Sequence, residues 1–306
     1  MAWALRAVAA LTVLIAGSAA HAGAADLLAG YLQVRERLAA GPPGIPIHVK
    51  ASARGDVRSA TVYGLVGQPF TALRAALSQP DDWCAFLPLN QNVKACAWRS
   101  ADDGAAVSLY VGRKHYQPPE AAMRVDGALR VVESAGDYVR VALHAEQGPL
   151  GSADYRIVIE AAPRPEGTLV RLRWSYRTSW RSRMATEAYL ATVGRDKVGF
   201  TVVGRDPSGR PHFVSGVEGV IERNAVRYYL ALEAFLDTAR LPPPERLGAS
   251  LRTWYAYTER HPRQLRELSR RDYLHAKELE FRNQARLQRS LDGDRAPLAQ
   301  VDPGRF

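Results

Sequence analysis

The two cysteines of the chain, Cys84 and Cys96, lie twelve positions apart in the apolar stretch WCAFLPLNQNVKACAW. A zinc site normally has about four ligands with C-x₂₋₄-C spacing, and a thioredoxin-like redox pair has the spacing C-x-x-C. Neither pattern occurs here, so an oxidising compartment would favour a disulfide that joins a helix end to the following strand. Such a bridge closes a short loop and is worth roughly 3 kcal/mol. Two free buried thiols are the alternative.

A second candidate for chemistry is the polar segment Glu222-Arg223-Asn224, which interrupts an otherwise apolar helical pattern. If these side chains are buried, they need polar partners. Glu222 or Asn224 would then face the polar head of a ligand or act as an acid or base. The alternative is that helical spacing leaves Glu222 and Arg223 on the solvated side.

Three further cations, Arg181, Arg183 and Lys197, flank the segment TEAYLATVGRDKVGF or lie within it. They would form an anion-binding site at one rim of a cavity, or they are exposed salt-bridge partners that contribute little energy. Both interpretations stay open at the level of the sequence.

Motifs of nucleophilic and metal-dependent enzymes are missing from the sequence. There is no G-x-S-x-G, no H-E-x-x-H and no S-x-x-K set with its partners. The segment His144-Ala145-Glu146 lacks the P-C-x-x-C that would complete a deaminase site. His115 could lie at the mouth of a cavity, although a surface loop is the commoner place. We therefore predict no catalytic residues, no metal and no cofactor.

The N-terminus has the pattern of a secretory signal peptide. Arg6 precedes an apolar run over residues 7–15, which is too short to span a bilayer, and residues 20–22 fit the A-x-A pattern of a signal-peptidase site. We expect cleavage after Ala22, with Ala24 as the second choice and an uncleaved membrane anchor as the alternative. The mature protein would then be soluble in the periplasm of a bacterium.

The composition is that of a globular protein, with 47% hydrophobic residues, 24% charged residues and a formal net charge of +10. The positive charge is mostly arginine, spread along the chain and mixed with acids, without a block of like charges. That distribution argues against nucleic acid as a partner. Weak attraction to anionic lipid or to a polyanionic envelope surface is compatible with it.

Hydrophobic periodicity predicts an α+β chain. A helix in 25–41 is followed by a Gly-Pro linker, a strand over 57–66 and two short helices that each begin at a proline. A short helix at 183–194, a long helix over about 216–239 and a charged helical tail over 245–292 follow later in the chain. Between them, strand patterns with short turns predict an antiparallel meander over residues 92–99, 105–112, 128–134, 137–146, 153–162 and 167–180.

The last strand pattern of the meander alternates clearly. Its apolar face is formed by Thr168, Val170, Leu172, Trp174, Tyr176 and Trp180. Its polar face is formed by Arg171, Arg173, Ser175 and Arg177. We expect the first face to be buried and the second to be solvated.

The order of strand, two helices, strand meander and long final helix resembles the helix-grip fold of the START-like superfamily, also called SRPBCC. The resemblance rests on TVYGLVGQPFTALRAALSQPDDWCAFLP, the meander and GVEGVIERNAVRYYLALEAFLDT. It implies an α+β fold with a bent antiparallel sheet wrapped around a long C-terminal helix, plus a helical tail. The predicted organisation is a signal peptide (1–22), an N-terminal helix and linker (23–46), the START-like domain (47–239) and a charged helical C-terminal extension (240–306).

Proteins of this superfamily enclose an apolar ligand between the sheet and the final helix. The resemblance therefore implies a cavity for a lipid or another poorly soluble molecule. The candidate wall residues are Tyr138, Val141, Trp174, Tyr176, Glu222, Asn224, Tyr229, Leu232 and Phe235. Tyr138 joins them only if a bulge shifts the register between it and Val141. Ordinary core packing is the alternative for each of them.

These expectations combine into one preferred function and two alternatives. The preferred function is periplasmic binding or transport of a hydrophobic small molecule, most simply a lipid. One alternative is a cyclase- or aromatase-type enzyme, whose substrate is polarised by one or two of Glu222, Asn224, Tyr176 and His115. The other is a non-catalytic envelope protein with a filled core, whose C-terminal tail contacts a partner or, transiently, a membrane surface. We expect the tail to dock on its own domain, because Trp254 and Tyr255 need burial.

Overall fold

The computed structural model describes residues 22–39, 41 and 45–293. The predicted signal sequence lies outside these residues apart from Ala22, and residues 294–306 lie outside them as well. The helices of the described part are α1 (residues 22–39), α2 (Phe70–Leu77), α3 (Pro80–Phe86), α4 (Trp180–Ala191), α5 (Gly216–Thr238), α6 (Pro243–Glu259), α7 (Pro262–Leu265) and α8 (Arg270–Gly293). Its strands are β1 (Ile47–Arg54), β2 (Val57–Val66), β3 (Val93–Ala101), β4 (Gly104–Val111), β5 (Met123–Ala135), β6 (Tyr138–Gln147), β7 (Ala153–Arg164), β8 (Gly167–Arg177), β9 (Val202–Arg205) and β10 (Pro211–Phe213).

One antiparallel sheet contains the strands in the order β1-β2-β8-β7-β6-β5-β4-β3. Each strand from β3 to β7 pairs with the next one along the chain, which confirms the predicted meander. Helices α2 and α3 carry the chain from β2 to β3, the strand at the far edge. The register shifts at bulges in the β3–β4, β5–β6 and β7–β8 pairs, and bulges increase the twist and bend of a sheet.

Helix α5 packs on the inner face of this sheet, where it contacts β1, β2 and β8. Its buried stripe includes Ile221, Ala225, Leu232 and Leu236, which belong to the main hydrophobic core. A helix with such a stripe is stabilised mainly by tertiary packing. The predicted helix-grip fold, a bent antiparallel sheet around a long helix, is confirmed.

The predicted disulfide between Cys84 and Cys96 is present, and it joins α3 to β3. The side chain of Gln284 in α8 bonds to the same two residues. Its Nε2 donates to the Cys84 carbonyl oxygen at 2.9 Å, and its Oε1 accepts from the Cys96 amide at 2.8 Å. The C-terminal helix is therefore tied to the junction that the disulfide makes.

Helix α1 covers the outer face of the sheet, the face away from α5. Leu27 and Leu38 pack there against Tyr63, Tyr138 and Leu169 in a second, smaller core. The outer face is therefore buried in part, whereas the alternation in the last strand pattern predicts a solvated surface.

Two positions of that strand pattern need correction. Arg171 is buried beneath α1 rather than solvated, and its Nη2 lies 2.8 Å from Glu160 Oε1 and 2.7 Å from Asp26 Oδ2. Trp180 is 60% exposed, because β8 ends at Arg177 and Trp180 begins α4 instead of extending the buried face.

The C-terminal segment docks on its own domain, as expected. Trp254 stacks on Tyr273 with ring centroids 4.9 Å apart, and Tyr255 lies beside the same ring. The residues of this segment that belong to the main core are Leu251, Trp254, Leu265 and Tyr273. Within the described residues, no helix combines the length and the apolar character that crossing a bilayer requires.

Helix α8 also protects the edge strand β3. Gln288 donates to the Trp98 carbonyl oxygen and accepts from the Trp98 amide, both at 3.0 Å. Gln284 accepts from the Cys96 amide in the same strand. These side chains form hydrogen bonds with N–H and C=O groups of β3 that an exposed edge would leave free to pair with another chain.

Candidate functional site

A cavity of about 360 Å³ lies between the inner face of the sheet and the N-terminal half of α5. This volume falls in the range of small-molecule sites, roughly 300–1,000 Å³. Strands β4 to β8 supply most of the wall, through side chains that include Val107, Val125, Leu143, Ile157, Trp174 and Tyr176. We call this space the apolar cavity.

Aromatic rings form one side of the apolar cavity. Tyr155 stacks on Tyr176 with ring centroids 4.8 Å apart, and Trp174 lies 5.0 Å from Tyr176. Tyr228 lines the cavity from α5. Burial raises the pKa of Tyr228 to about 12 and raises the pKa values of Tyr155 and Tyr176 as well. These hydroxyls are therefore protonated at neutral pH and serve as hydrogen-bond donors rather than as bases.

Three of the predicted wall residues line the apolar cavity: Trp174, Tyr176 and Asn224. Asn224 lies one helical turn before Tyr228 on α5, so both side chains project from the same face of the helix. Whether these residues bind a ligand stays a prediction.

Four predicted wall residues pack into the closed part of the core instead, and they are Val141, Tyr229, Leu232 and Phe235. The C-terminal half of α5 lies very close to β2 there. A Cβ atom at Gly64 would lie 2.1 Å from the Tyr229 hydroxyl oxygen, so only glycine permits this approach. The α5 residues that line the cavity, Asn224 and Tyr228, come before this contact along the helix.

Tyr138 lies on the outer face of the sheet, and the expectation that it faces the cavity is corrected. The register shift occurs in β5, between Val131 and Glu133, and leaves the alternation of β6 intact. Tyr138 therefore faces α1, and its hydroxyl donates to Glu160 Oε1 at 2.6 Å.

Glu222 is buried, which corrects the expectation that helical spacing leaves it in solvent. Its Oε2 accepts from the amides of Phe200 and Thr201 at 2.6 Å and 2.9 Å, and its Oε1 accepts from the Thr201 hydroxyl at 2.5 Å. Burial raises the pKa of this carboxyl even though the hydrogen bonds act in the opposite direction. Glu222 anchors the segment before β9 and does not line the apolar cavity.

A second cavity, of about 270 Å³, adjoins the apolar cavity. Lys114, Arg223 and Arg227 line only this second space, which we call the basic cavity, and Tyr189 of α4 also lines it. The walls that the two cavities share include Asn92, Tyr155, Tyr176, Thr186 and Asn224. A molecule with an apolar part and a polar end could therefore extend from one cavity into the other.

The cations of the basic cavity surround one buried carboxylate, Glu267. Its Oε1 lies 2.8 Å from Arg227 Nη2, and its Oε2 lies 2.6 Å from Lys114 Nζ. Lys197 is half-buried and donates to the main-chain carbonyl just before Glu267. Burial alone would raise the pKa of Glu267, but Arg227, Lys114 and Lys197 outweigh it and hold that pKa below its usual value. Glu267 is thus an anion at neutral pH.

Arg223 is only 1% exposed, so the alternative that helical spacing leaves it on the solvated side is wrong. Its guanidinium is also incompletely paired. Its Nη2 donates to the Tyr189 hydroxyl at 3.0 Å. Its Nε and Nη1 have no hydrogen-bond partner in the part of the chain that the structure describes. Burial, and then the charge of Arg227, lower the pKa of this guanidinium.

The other predicted polar candidates lie elsewhere. Arg181 and Arg183 are exposed on α4 and line neither cavity, so among the predicted rim cations only Lys197 lies near the basic cavity. His115 is exposed and lines neither cavity.

The walls of the two cavities, as far as the structure describes the chain, carry no carboxylate, histidine or cysteine side chain. Their polar groups are tyrosine hydroxyls, asparagine amides, a serine and a threonine hydroxyl and the three cations. Such groups bind and orient a ligand through hydrogen bonds and charge.

Sequence reasoning missed several residues of this site: Tyr155, Tyr228, Lys114, Arg227 and Glu267. One signal was available, because Arg223 and Arg227 are spaced i, i+4 and therefore share a helix face. Lys114 and Glu267 are far apart in the sequence, and only the docking of the C-terminal segment brings them together.

Solved structures similar to parts of the chain include a STAR-related lipid transfer protein fragment from Xanthomonas axonopodis. It is 12% identical, with a TM-score of 0.39 over 64% of this chain and 94% of that one. A START superfamily protein from Mycobacterium smegmatis is 15% identical, with a TM-score of 0.31 over 44% and 89%. Major latex-like protein 151 from Panax ginseng is 12% identical, with a TM-score of 0.31 over 46% and 95%.

No family model matches the sequence, and no curated protein matches it. The START-like fold of this chain follows from the strand order of the sheet and from the position of α5 on its inner face.

Proposed function

We propose that this protein binds and carries a hydrophobic small molecule, most simply a lipid, in the apolar cavity. The observation that carries the proposal is a space of about 360 Å³ with mostly apolar walls next to the main hydrophobic core. Protein interiors are close-packed, and voids larger than a water molecule are few. A START-like fold also supports binding of hydrophobic ligands in general.

The wall has the composition that such a ligand needs. Aliphatic and aromatic side chains would remove apolar ligand surface from water, at roughly 25 cal/mol per Å² before the costs of association. Asn92, Asn224 and the hydroxyls of Tyr155 and Tyr176 would fix the orientation of the few polar groups.

Helix α4 is the element that we propose moves to admit the ligand. It contributes Thr186 to both cavities, yet none of its residues is buried. Trp180 and Met184 on this helix are 60% and 59% exposed. An element with few buried contacts opens at a lower free-energy cost than the core.

We further propose that the mature protein acts in the periplasm. The signal-peptide pattern of residues 1–22 supports this, and disulfides persist in oxidising compartments. Intact mass spectrometry on protein expressed with its own N-terminus is the test. We expect a periplasmic chain that begins at Gly23, whereas an uncleaved chain in the cytoplasm would contradict the proposal.

Native mass spectrometry on the gently purified protein, combined with solvent extraction, tests the binding itself. We expect a stoichiometric hydrophobic adduct and uptake of a hydrophobic fluorescent probe. Ala145→Phe should fill the apolar cavity and weaken probe binding by about tenfold or more. Ala142→Phe, on the outer face of the same strand, is the matched control. Absence of adduct and probe uptake, or full binding by the Ala145→Phe variant, would refute the proposal.

A further inference from the structure

The cations in and beside the basic cavity outnumber the one carboxylate that they surround. Lys114, Lys197, Arg223 and Arg227 surround the single carboxylate Glu267, which accepts from Arg227 and Lys114. Tyr189 adds a hydroxyl that accepts from Arg223 and Lys114. The cluster therefore favours a further anion.

Arg223 is the residue that indicates where this anion binds. Its Nε and Nη1 lack hydrogen-bond partners within the described residues, although the side chain is almost completely buried. An unpaired buried cation is expensive, and most buried polar groups in proteins are paired. Arg227 Nε also lacks a partner among the described residues, but the charge of Arg227 is already balanced, because its Nη2 donates to Glu267 and to the Leu265 carbonyl oxygen.

A guanidinium presents its N–H donors as a planar fork that matches two oxygens of one carboxylate or phosphate group. Arg223 lines the basic cavity, and that cavity shares the walls Asn92, Tyr176 and Asn224 with the apolar cavity. An apolar chain in one space can therefore place an attached anionic group in the other.

We propose that Arg223, supported by Lys114 and Arg227, binds the anionic head group, a carboxylate or phosphate, of an amphipathic ligand whose apolar chain lies in the apolar cavity. This inference rests on the proposed function and names the chemical class of its ligand. The ligand is a lipid anion rather than a neutral lipid.

Isothermal titration calorimetry with matched probes tests the assignment. Dodecanoate, dodecyl phosphate and dodecanol share one apolar chain and differ only in the head group, and inorganic phosphate supplies the head group alone. For the wild-type protein we expect both lipid anions to bind at least about tenfold more tightly than dodecanol, since charge-assisted hydrogen bonds are the strong ones. Inorganic phosphate should bind far more weakly than dodecyl phosphate.

The variants locate the head group. Arg223→Gln should remove most of the preference for anions, and circular dichroism checks that the variant is folded. Arg223→Lys should restore part of the preference. Lys114→Gln is a second probe, because this side chain is 25% exposed and tolerates change more easily. Arg181→Gln, an exposed arginine on α4, should behave as the wild type.

The outcomes separate this inference from the proposed function. Equal affinity for dodecanol and the lipid anions would overturn the head-group assignment and leave hydrophobic binding intact. Equal affinity for inorganic phosphate and dodecyl phosphate would also overturn it, because the cluster would then be a site for free anions. Loss of anion preference in the Arg181→Gln variant would place the head group elsewhere. Failure of all four probes to bind would overturn both proposals.

Discussion

Beneath α8, Lys94 and Lys277 flank Glu280, whereas beside the basic cavity Arg223 and Arg227 lie near Glu267. In the first group, Lys94 Nζ lies 2.9 Å from Glu280 Oε1, and Lys277 Nζ lies 2.8 Å from Glu280 Oε2. Each lysine also donates to two main-chain carbonyls, at 2.6–3.0 Å, which belong to Gln91, His115, Asn90 and Val93. Lys94 therefore has an acceptor for each of its three N–H groups, whereas Lys277 donates to two carbonyls and has the Glu280 carboxylate as its counter-ion.

The second group is paired less completely. Arg227 donates to Glu267 and leaves Nε unpaired, while Arg223 donates only to the Tyr189 hydroxyl and leaves Nε and Nη1 unpaired among the described residues. Both groups are buried and both contain more cations than acids. The lysines of the first group donate to main-chain carbonyls, whereas the arginines of the second group line the basic cavity. The contrast indicates that the lysine group serves stability and that the arginine group serves a ligand.

Removing the carboxylate from the lysine group should give the largest effect. Glu280→Gln keeps the side-chain volume but leaves two buried ammonium groups without a counter-ion. We expect a loss of about 3–5 kcal/mol in the free energy of unfolding, measured by denaturant titration near neutral pH. The exposed Glu278 on the same helix supplies the control, since Glu278→Gln should change stability very little.

The pH dependence of that loss gives an internal check. Burial already lowers the pKa of Lys277 to about 8. Without Glu280 that pKa should fall further, because the attraction that favours the charged form is gone. A lysine whose pKa is lower in the folded state destabilises the fold while it is charged, and this cost disappears as pH rises. Part of the loss should therefore be recovered towards about pH 10; a loss independent of pH would argue against an electrostatic origin.

The disulfide should contribute the next largest effect. The double variant Cys84→Ala, Cys96→Ala frees α3 from β3, and the loop of this length predicts a loss of about 3 kcal/mol. Gln284 should still hold both backbone segments against α8, so the variant should fold. Probe affinity of the folded variant should be unchanged, because neither cysteine lines the apolar cavity. A fall in affinity together with stability would show that the two regions are coupled.

Substituting a cation in each group by methionine tests the comparison directly. Arg223→Met removes an incompletely paired charge and should raise the stability of the ligand-free protein by about 1–2 kcal/mol. Lys94→Met removes a fully paired charge and strands three acceptors, so it should lower stability. Thermal and denaturant unfolding of the two variants decide the matter; stability changes of the same sign would remove the distinction between the two groups.

The sequence predicts the fold well where periodic segments are long. Strand β2 and helix α5 begin and end within a residue or two of the predicted bounds, and each has a clear apolar repeat. Strand β1 lies outside the predicted strands; IHVKASAR does alternate apolar and polar residues, but two of its four apolar residues are alanines, which have a weak strand preference. The first part of β5 was missed for a similar reason, since Asp126 and Gly127 interrupt it.

The site is predictable only in part, for a physical reason. Alternation places Trp174 and Tyr176 on the inner face, and helical spacing places Leu232 and Phe235 on the stripe that packs on it. Both pairs have the same apolar pattern, yet only the first lines a cavity. Long-range packing decides this, through contacts such as that of Gly64 with Tyr229, which no local pattern contains.

The smallest expected effect is that of a partly buried acid, which extends the comparison from cations to carboxylates. Glu233 is half-buried on α5, where burial and then the nearby Asp237 raise its pKa from the ordinary 4.5 to about 7. A carboxyl whose pKa is higher in the folded chain destabilises the fold as pH rises from about 4.5 to about 7. Glu233→Gln should therefore be more stable than the wild type above about pH 7, by about 1–2 kcal/mol after allowance for solvent screening.

Near pH 4 the Glu233→Gln variant and the wild type should be equally stable, because the wild-type carboxyl is protonated in both the folded and the unfolded chain at about that pH. Denaturant unfolding across this pH range measures the difference, and Glu187→Gln, at an exposed position of α4, should follow the wild-type curve. A constant offset at every pH would mean that packing, rather than charge, sets the effect. A pH-dependent gain would instead show that a buried charge without a full set of partners costs stability in this fold, whichever its sign.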